Sequence, residues 1–377
     1  MKKTLLLCFC LLGIILNTSA QELEHSHRFN RKIEFPNIPG YRTLKCDFHM
    51  HTVFSDGNVW PSIRTQEAVK DGLDAISLTE HLEYQPHKDD IPHPDRNRAH
   101  NIAENSVSPE DLLVVRGAEI TRSMPPGHCN AIFIQDANLL MDKDPLTVFR
   151  EAKRQDAFVF WNHPNWTSQR PDGISKLDSM HHQLIDEGLL HGIEVVNDVT
   201  YSEEAFQLAL DYNLTIMGTS DIHGLVDWAY EIPSGGHRPI TLVMATERSP
   251  AAIKEALEAG RTVVWFNNLL LGKEAYLQPL VQSSLEVTGA AYQGKTIIAE
   301  IKINNSSDAD LHLFNLTDFT FHAHSDLITL EAQSETTISV KTLEKLENFE
   351  LKFQVLNALK APKQHIEIIL PIKIEEN

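Results

Sequence analysis

The sequence predicts an α/β chain in two parts: a closed barrel of about seven βα units, then a small all-β sandwich of immunoglobulin-like size. Three observations carry this. Between residues 41 and 275, short apolar runs alternate with helical patterns, the mark of βα units around a parallel sheet. From 276 to 377 only strand-like runs separated by turn residues follow, with no convincing helix. Nearly every predicted strand of the first part also ends in a His, Asp or Glu, and barrels gather their functional residues on the face made by those ends.

The elements follow in chain order. "MKK", the apolar "TLLLCFCLLGIIL" and the small residues of "NTSA" predict a signal peptide over residues 1–20, cleaved after Ala20. The apolar run is too short for a permanent membrane anchor, and Cys8 and Cys10 lie too early for lipidation. Residues 21–40 are polar with scattered prolines and read as an arm. The barrel, 41–275, opens with the strand "TLKCDFHMH", the amphipathic "PSIRTQEAVKDG" and the strand "LDAISLTEH". The strands "LLVVRGAEIT" and "HCNAIFI", the helical "FREAKRQ" and the strand "AFVFWNHP" come next. "GIEVVN" leads into the helix-like "SEEAFQLALDY" and then "LTIMGTSDIHG"; "PITLVMAT", "SPAAIKEALEAG" and "TVVWF" complete this part. No Gly-rich phosphate loop follows the first strand, which weakens a dinucleotide-binding reading. In the tail, "TIIAEIKINN", "FELKFQVLN" and "HIEIILPIKI" are among the strand-like runs separated by turn residues.

Composition narrows the function. A formal net charge of −19 argues against polymeric nucleic acid as the main partner, because affinity there rests on Lys and Arg. A small anionic substrate fits if metal ions supply local positive charge. With the leader removed only Cys46 and Cys129 remain, so no disulfide framework forms, and both read as buried free thiols.

The candidate site begins in "CDFHMHTVFSDG", residues 46–57. Strand alternation puts His49 and His51 on one face with Asp47, and Cys46, Phe48 and Met50 on the other. An isolated pair of this kind fits two satisfied polar histidines as well as a divalent metal. The other strand ends decide the matter. They supply Asp56 in the first turn, Glu80 and His81 in "SLTEH", Glu119 in "GAEIT", His163 in "FWNHP", and Asp221 and His223 in "GTSDIHG". His128 in "GHCN" is the exception, since it opens its strand.

"DFHMHTVFSDG", "TEH", "GAEIT", "NHP" and "SDIHG", in this order, resemble the signature of the polymerase-and-histidinol-phosphatase (PHP) family, within the wider amidohydrolase group. The resemblance covers roughly residues 43–275 and implies a distorted (β/α)7 barrel, TIM-like in plan. "GNVWPSIRTQEAVKDGLDAISLTEHLEYQPHKDDIPHPDRNR" and the β-rich tail are similar to an exported branch that includes bacterial periplasmic phosphodiesterases. The family implies a trinuclear site. His49, His51, Glu119 and Asp221 would hold one metal; Glu119, bridging, with His128 and His163 a second; Asp56, His81 and His223 a third. Some members have histidine where this chain has Asp56, which leaves Zn²⁺, Mn²⁺ and Fe²⁺ all open as the two to three ions.

Mixed imidazole and carboxylate ligands favour metal-assisted hydrolysis, two ions sharing a hydroxide nucleophile. Asp221, His51 and Glu119 are the residues expected at the chemical step, Asp221 either as proton acceptor or as ligand only. Glu80, Glu194 and Asn197 could orient ligands, although alternation sets Glu80 opposite His81 and leaves a loop role open. Arg170, Arg96, Arg98 and His93 are expected to bind phosphate, with solvated loop charge as the alternative; Trp60 and Trp166 would stack on a leaving group or pack in the core. The expected protein is an exported, periplasmic or secreted, metal-dependent phosphoesterase acting on small phosphodiesters or monoesters, with no transmembrane segment after signal removal. An amide or ester metallohydrolase and a non-enzymatic binding module are the alternatives.

Overall fold

In the computed structural model, residues 31–375 are described. The expected leader, its cleavage after Ala20 and residues 21–30 of the arm lie outside the described residues.

The first strand, β1 (Arg42–Asp47), runs into α1 (Pro61–Asp71), which stops at Gly72 in the left-handed conformation, and then β2 (Ala75–Leu78). α2 (Arg98–Glu104), β3 (Leu113–Ile120), β4 (Cys129–Ile132), α3 (Pro145–Arg154) and β5 (Phe158–Trp161) follow. Then come α4 (Ser179–Asp186), β6 (Gly192–Asn197), the short β7 (Thr200–Tyr201), α5 (Glu203–Asp211) and β8 (Thr215–Thr219). α6 (Val226–Ala229), β9 (Ile240–Ala245), α7 (Pro250–Glu258), β10 (Thr262–Phe266) and β11 (Leu269–Gly272) end the barrel part.

Pairing runs β9–β1–β2–β3–β4–β5–β6–β8 around the barrel. Closure between β8 and β9 uses side chains. The Thr241 hydroxyl accepts from Gly218 N at 3.0 Å and donates to Gly218 O at 2.8 Å. A Cβ at Gly218 would collide with Val264 of β10, so the strands close in only on a glycine. Beyond the strand ends, Met50 bridges Ile222 and joins β1 to β8 at the site face. β4 runs antiparallel to both β3 and β5, and β9 antiparallel to β1, where a parallel sheet was expected. These reversals are the barrel's distortion. They also resolve the exception of His128: the start of an antiparallel strand lies at the same end as the finish of its parallel neighbours.

The tail holds β12 (Leu285–Tyr292), β13 (Ile298–Asn305), β14 (Leu311–Asn315), β15 (Thr320–Phe321), β16 (Leu327–Leu330), β17 (Ser334–Lys341), β18 (Asn348–Ala361) and β19 (Gln364–Lys373). They form two antiparallel layers, β12–β13–β17–β15 and β16–β14–β18–β19. Ala299, Ile301 and Ile303 of one layer and Ile366, Ile368 and Leu370 of the other alternate inward and are buried. The far end of β18 pairs parallel with β11, Leu270 opposite Ala358, so barrel and sandwich share one sheet.

The expected absence of helix past 276 is corrected: "EAYLQPLVQSS" forms α8 (Glu274–Ser284). Leu277, Leu280, Val281 and Ser284 are buried at helical spacing, and this period overrides the discouraging Pro279. Gln278 and Gln282 of α8 donate to the Glu367 and Ile369 carbonyls, each at 3.0 Å, and fix the helix to the sandwich. The described part of the arm is docked as well: Arg31 pairs with Asp71 at 2.9 Å, and Glu34 N donates to Asp308 at 2.8 Å. Among the described residues no helix is long and apolar enough to cross a membrane.

Candidate metal centre

All nine sequence-derived ligands sit at one end of the barrel. At its base His49 Nε2 and His51 Nε2 stand 3.1 Å apart. Glu119 Oε2 lies 3.7 and 3.4 Å from them, and Asp221 Oδ1 3.1 and 3.0 Å. Donors held at 2.0–2.2 Å around one tetrahedral ion would be roughly 3.3–3.6 Å apart, so these spacings fit a metal. Glu119 Oε1 faces the second group, 2.9 Å from His128 Nδ1 and 3.6 Å from His163 Nε2. Asp56 organises the third, with Oδ2 3.4 Å from His81 Nε2 and Oδ1 3.2 Å from His223 Nε2. Glu119 Oε2, Asp221 Oδ1 and Asp56 Oδ1 are buried without a well-formed hydrogen bond. Such orphaned carboxylate oxygens among inward-facing imidazoles are the donor set of a cation site.

A shell of hydrogen bonds aims these ligands. His49 Nδ1 donates to Glu194 Oε1 at 2.7 Å, and His51 Nδ1 to Ser55 Oγ at 3.2 Å, which turns both Nε2 atoms inward. His223 Nδ1 donates to Asp221 O at 2.7 Å. Glu194 also accepts from His163 N, Thr219 Oγ1 and Asn197 Nδ2, at 2.7, 2.6 and 2.8 Å. The turn that returns Asp56 closes tightly: a Cβ at Gly57 would stand 2.6 Å from the His51 backbone. His163 and Asp221 adopt positive φ, 28° and 48°, a conformation that costs of order 1–3 kcal/mol and concentrates at functional sites.

The charge balance fits a cation. Burial raises the Glu119 and Asp221 carboxyls, but the surrounding histidines, His81 foremost for Glu119 and His49 for Asp221, hold both well below the usual carboxylate range. Burial lowers His81, yet Glu119 and Asp56 bring it up to about 10; burial also lowers His49, which Asp221 and Glu194 raise well above its ordinary value. His51 is pushed down to about 3 by burial and by His81, so it stays neutral. Below the raised values of His49 and His81, at neutral pH, the metal-free site therefore holds protons where cations would sit. Zn²⁺ binding near pH 7.5 should release about two protons per chain and weaken as pH falls. Titration calorimetry in buffers of different ionisation enthalpy reads this directly, and a buffer-independent heat would overturn it.

The remaining sequence candidates divide. Glu80 has no surface or loop role: it is buried, accepting from Thr52 N at 3.1 Å and from the Thr52 and Ser55 hydroxyls. It thereby holds Ser55 against His51. Asn197 reaches Asp221 Oδ2 at 3.3 Å. The four expected phosphate binders do not meet at the site. Arg170 is buried and paired with Asp178, donating also to Lys176 O at 2.7 Å. His93 is buried against Gln85, and Arg96 caps the His93 carbonyl at 3.3 Å. Arg98 is exposed at the start of α2. Local carboxylates and carbonyls took Arg170, His93 and Arg96, a competition that single residues in a loop do not reveal. Trp166 stands at the site, 5.1 Å from the His163 ring, while Trp60 packs on Phe54. Cys46 and Cys129 are buried and free.

Asn162 and Arg64 were missed from sequence. Asn162 donates to Glu119 Oε1 at 3.0 Å. Arg64 is fully buried and donates to His51 O, Ile222 O and Gly224 O at 3.0, 3.0 and 2.7 Å. A charged residue on the buried stripe of α1, in line with Ala68 and Asp71, was the readable signal.

A cavity of about 480 Å³ opens over the centre, lined by Asp56, His81, His128, His163, Asp221 and His223 and, beyond them, by loop residues that include Trp166 and Asp198. His49, His51 and Glu119 lie beneath it, fully buried.

Residues 285–371 match the model of an Ig-like domain family. A two-domain protein from Bacteroides vulgatus ATCC 8482, described as containing a predicted PHP-like metal-dependent phosphoesterase, is 42% identical. The match covers 90% of this chain and 98% of that one, with a TM-score of 0.84. A candidate metal-dependent phosphoesterase from Bifidobacterium adolescentis is 16% identical over 49% of this chain and 90% of its own, at a TM-score of 0.38. An amidohydrolase from Chromobacterium violaceum with bound sulfate is 15% identical over 48% of this chain and 87% of its own, at 0.34. No curated protein matches the chain.

Proposed function

The chain belongs to the PHP-like metal-dependent phosphoesterases, and from that premise we propose that it is an exported enzyme hydrolysing small phosphodiesters at a centre of two to three divalent ions. The observation that carries the reading is the convergence of orphaned carboxylate oxygens and inward imidazoles beneath one open cavity. When bound, the ions supply an acidified water as nucleophile and positive charge opposite the phosphoryl oxygens. The protein's own groups do the rest. Glu194 and Ser55 fix the tautomers of His49 and His51. Asp221, its Oδ2 within reach of Asn197, is the carboxylate best suited to take the proton of the attacking water. His128, His163 and His223 line the wall that the phosphoryl group meets.

Diester is favoured over monoester by the cavity wall. Among the described residues lining it there is no lysine or arginine, while Asp56, Asp198 and Asp221 are present. The second negative charge of a monoester would find no lysine or arginine there. The predicted leader supports export to the periplasm or beyond, and the acidic chain makes a nucleic-acid polymer a poor substrate. The test is a panel of p-nitrophenyl phosphate mono- and diesters with added Mn²⁺ or Zn²⁺, beside elemental analysis of protein purified without chelators. Two to three ions per chain and faster diester cleavage are expected. A stoichiometry at or below one, unchanged by added metal, would count against the cluster. Cleavage of neither ester with any metal would move the amide-hydrolase reading ahead.

A further inference from the structure

The cavity extends past the ligands over a wall built from two loops. Asn165, Trp166, Thr167 and Gly173 follow β5, and Asp198 and Thr200 follow β6. Its chemistry differs from that of the centre. It offers an indole, neutral amides and hydroxyls, and one carboxylate that is not among the nine ligands.

Trp166 is 43% exposed. Its ring meets His128 at an interplanar angle of 57° and His163 at 69°, so neither imidazole stacks flat on the indole face. A flat, partly apolar ring can use that face. Asp198 sits next to Asn197 and takes a positive φ of 50°, a strained conformation for a non-glycine residue. Tyr230 anchors it, donating its hydroxyl to Asp198 Oδ1 at 3.0 Å, while the same hydroxyl lies 2.7 Å from the Ser220 carbonyl. Asp198 lines the cavity and is exposed, so its carboxylate, held through Oδ1, can be reached from the cavity. The cations of the flanking loops are turned to other work: Arg170 pairs with Asp178, Lys176 with Asp172 at 2.9 Å, and Arg122 with Glu83 at 2.8 Å. A substrate arm carrying a second phosphate or a carboxylate would meet Asp198 with nothing to offset it.

Resting on the phosphoesterase reading, we propose that Trp166 and Asp198 form a subsite for the alcohol part of the substrate, and that this alcohol is an uncharged ring bearing vicinal hydroxyls. The ring lies against the indole, and the hydroxyls donate to the Asp198 carboxylate in charge-assisted hydrogen bonds. The cavity, about 480 Å³, lies in the range that holds one phosphoryl group and one such ring.

The experiment compares the p-nitrophenyl phosphodiester of uridine with ethyl p-nitrophenyl phosphate on the metal-loaded, full-length protein. Wild type should prefer the uridine ester by about tenfold or more in kcat/KM. Asp198→Ala and Trp166→Ala should each raise KM for the uridine ester about tenfold more than for the ethyl ester, with little change in the ratio of kcat values. Asp198→Asn, which keeps the acceptor without the charge, should fall between. Equal preference in wild type, or variants that harm both esters equally, would overturn the subsite, the latter because Asp198 would then serve only to hold Tyr230. The separate readout is binding of a slowly hydrolysed phosphorothioate uridine diester, measured by calorimetry. Should neither ester be cleaved while this ligand binds wild type about tenfold tighter than Asp198→Ala, the phosphodiesterase reading fails and the subsite stands. Should binding be equal, the subsite fails whatever the turnover.

Discussion

Changing His49 to alanine is expected to remove nearly all turnover, by about 10³-fold or more, while the fold survives. Two effects combine. The imidazole is one of the donors converging at the buried base of the site, 3.1 Å from His51 Nε2 and 3.1 Å from Asp221 Oδ1. It is also the donor to Glu194, whose carboxylate is buried and positions His163, Thr219 and Asn197. Its loss takes one of two donors from Glu194 Oε1, leaving Thr219 alone on that oxygen, and loosens a second ligand loop. Asp56→Ala is the comparison. Asp56 faces His81 and His223, both of which line the cavity, and lies farther, 3.6 Å, from His51 Nδ1. Its removal should lower kcat less and raise KM more, because these groups meet the phosphoryl oxygens from the open side. An aryl phosphodiester assay at neutral pH, with Mn²⁺ or Zn²⁺ supplied, checks both. If wild type cleaves the ester and His49→Ala matches it, the buried base of the site is not where the nucleophile is made.

The contrast between ligands and phosphate binders shows what a sequence carries. The clustering of the nine candidate ligands was legible because each lies within a few residues of a strand end, and barrel topology brings those ends together whatever the loops do. His128 looked misplaced only because the reversal of β4 cannot be read from an apolar run. A short strand has the same pattern in either direction. Arg170, Arg96, Arg98 and His93 depend instead on loop conformation. Arg170 found Asp178 eight positions on, and His93 found Gln85. Such partners are chosen by local geometry that spacing does not determine. The sandwich strands were clear as apolar runs set between turn residues. The helix Glu274–Ser284 was not, because Pro279 masks a buried stripe that only its packing on β19 completes. Glu80 was ambiguous for a related reason. Alternation assigned it to the far side of the strand, but the loop after Met50 folds back over that side and buries it among Thr52 and Ser55.

Arg64→Met is expected to destabilise the protein by about 3–5 kcal/mol and to weaken metal binding about 10–100-fold. The guanidinium joins the two segments that carry His51, Asp221 and His223, bonding to His51 O on one side and to Ile222 O and Gly224 O on the other. Glu67 neutralises it at 2.8 Å and also accepts from Val226 N at 2.8 Å. Methionine matches the stem but leaves the His51 and Gly224 carbonyls without this donor, Ile222 O with His51 N alone, and a buried carboxylate without its partner. Breaking a buried pair from one side costs far more than removing both charges. The double variant Arg64→Met/Glu67→Gln should therefore regain much of the lost stability, since glutamine still accepts from Val226. It should not regain the metal affinity, because the guanidinium clamp across His51 O, Ile222 O and Gly224 O would still be missing, leaving the backbone bond from His51 N to Ile222 O to hold the two segments. Thermal unfolding of metal-free protein separates the first effect, and Co²⁺ titration followed by its visible absorption separates the second. Equal melting temperatures for single and double variants would show that the stranded charge is not the cost. Full Co²⁺ affinity in either variant would show that the ligand loops hold their places without the arginine.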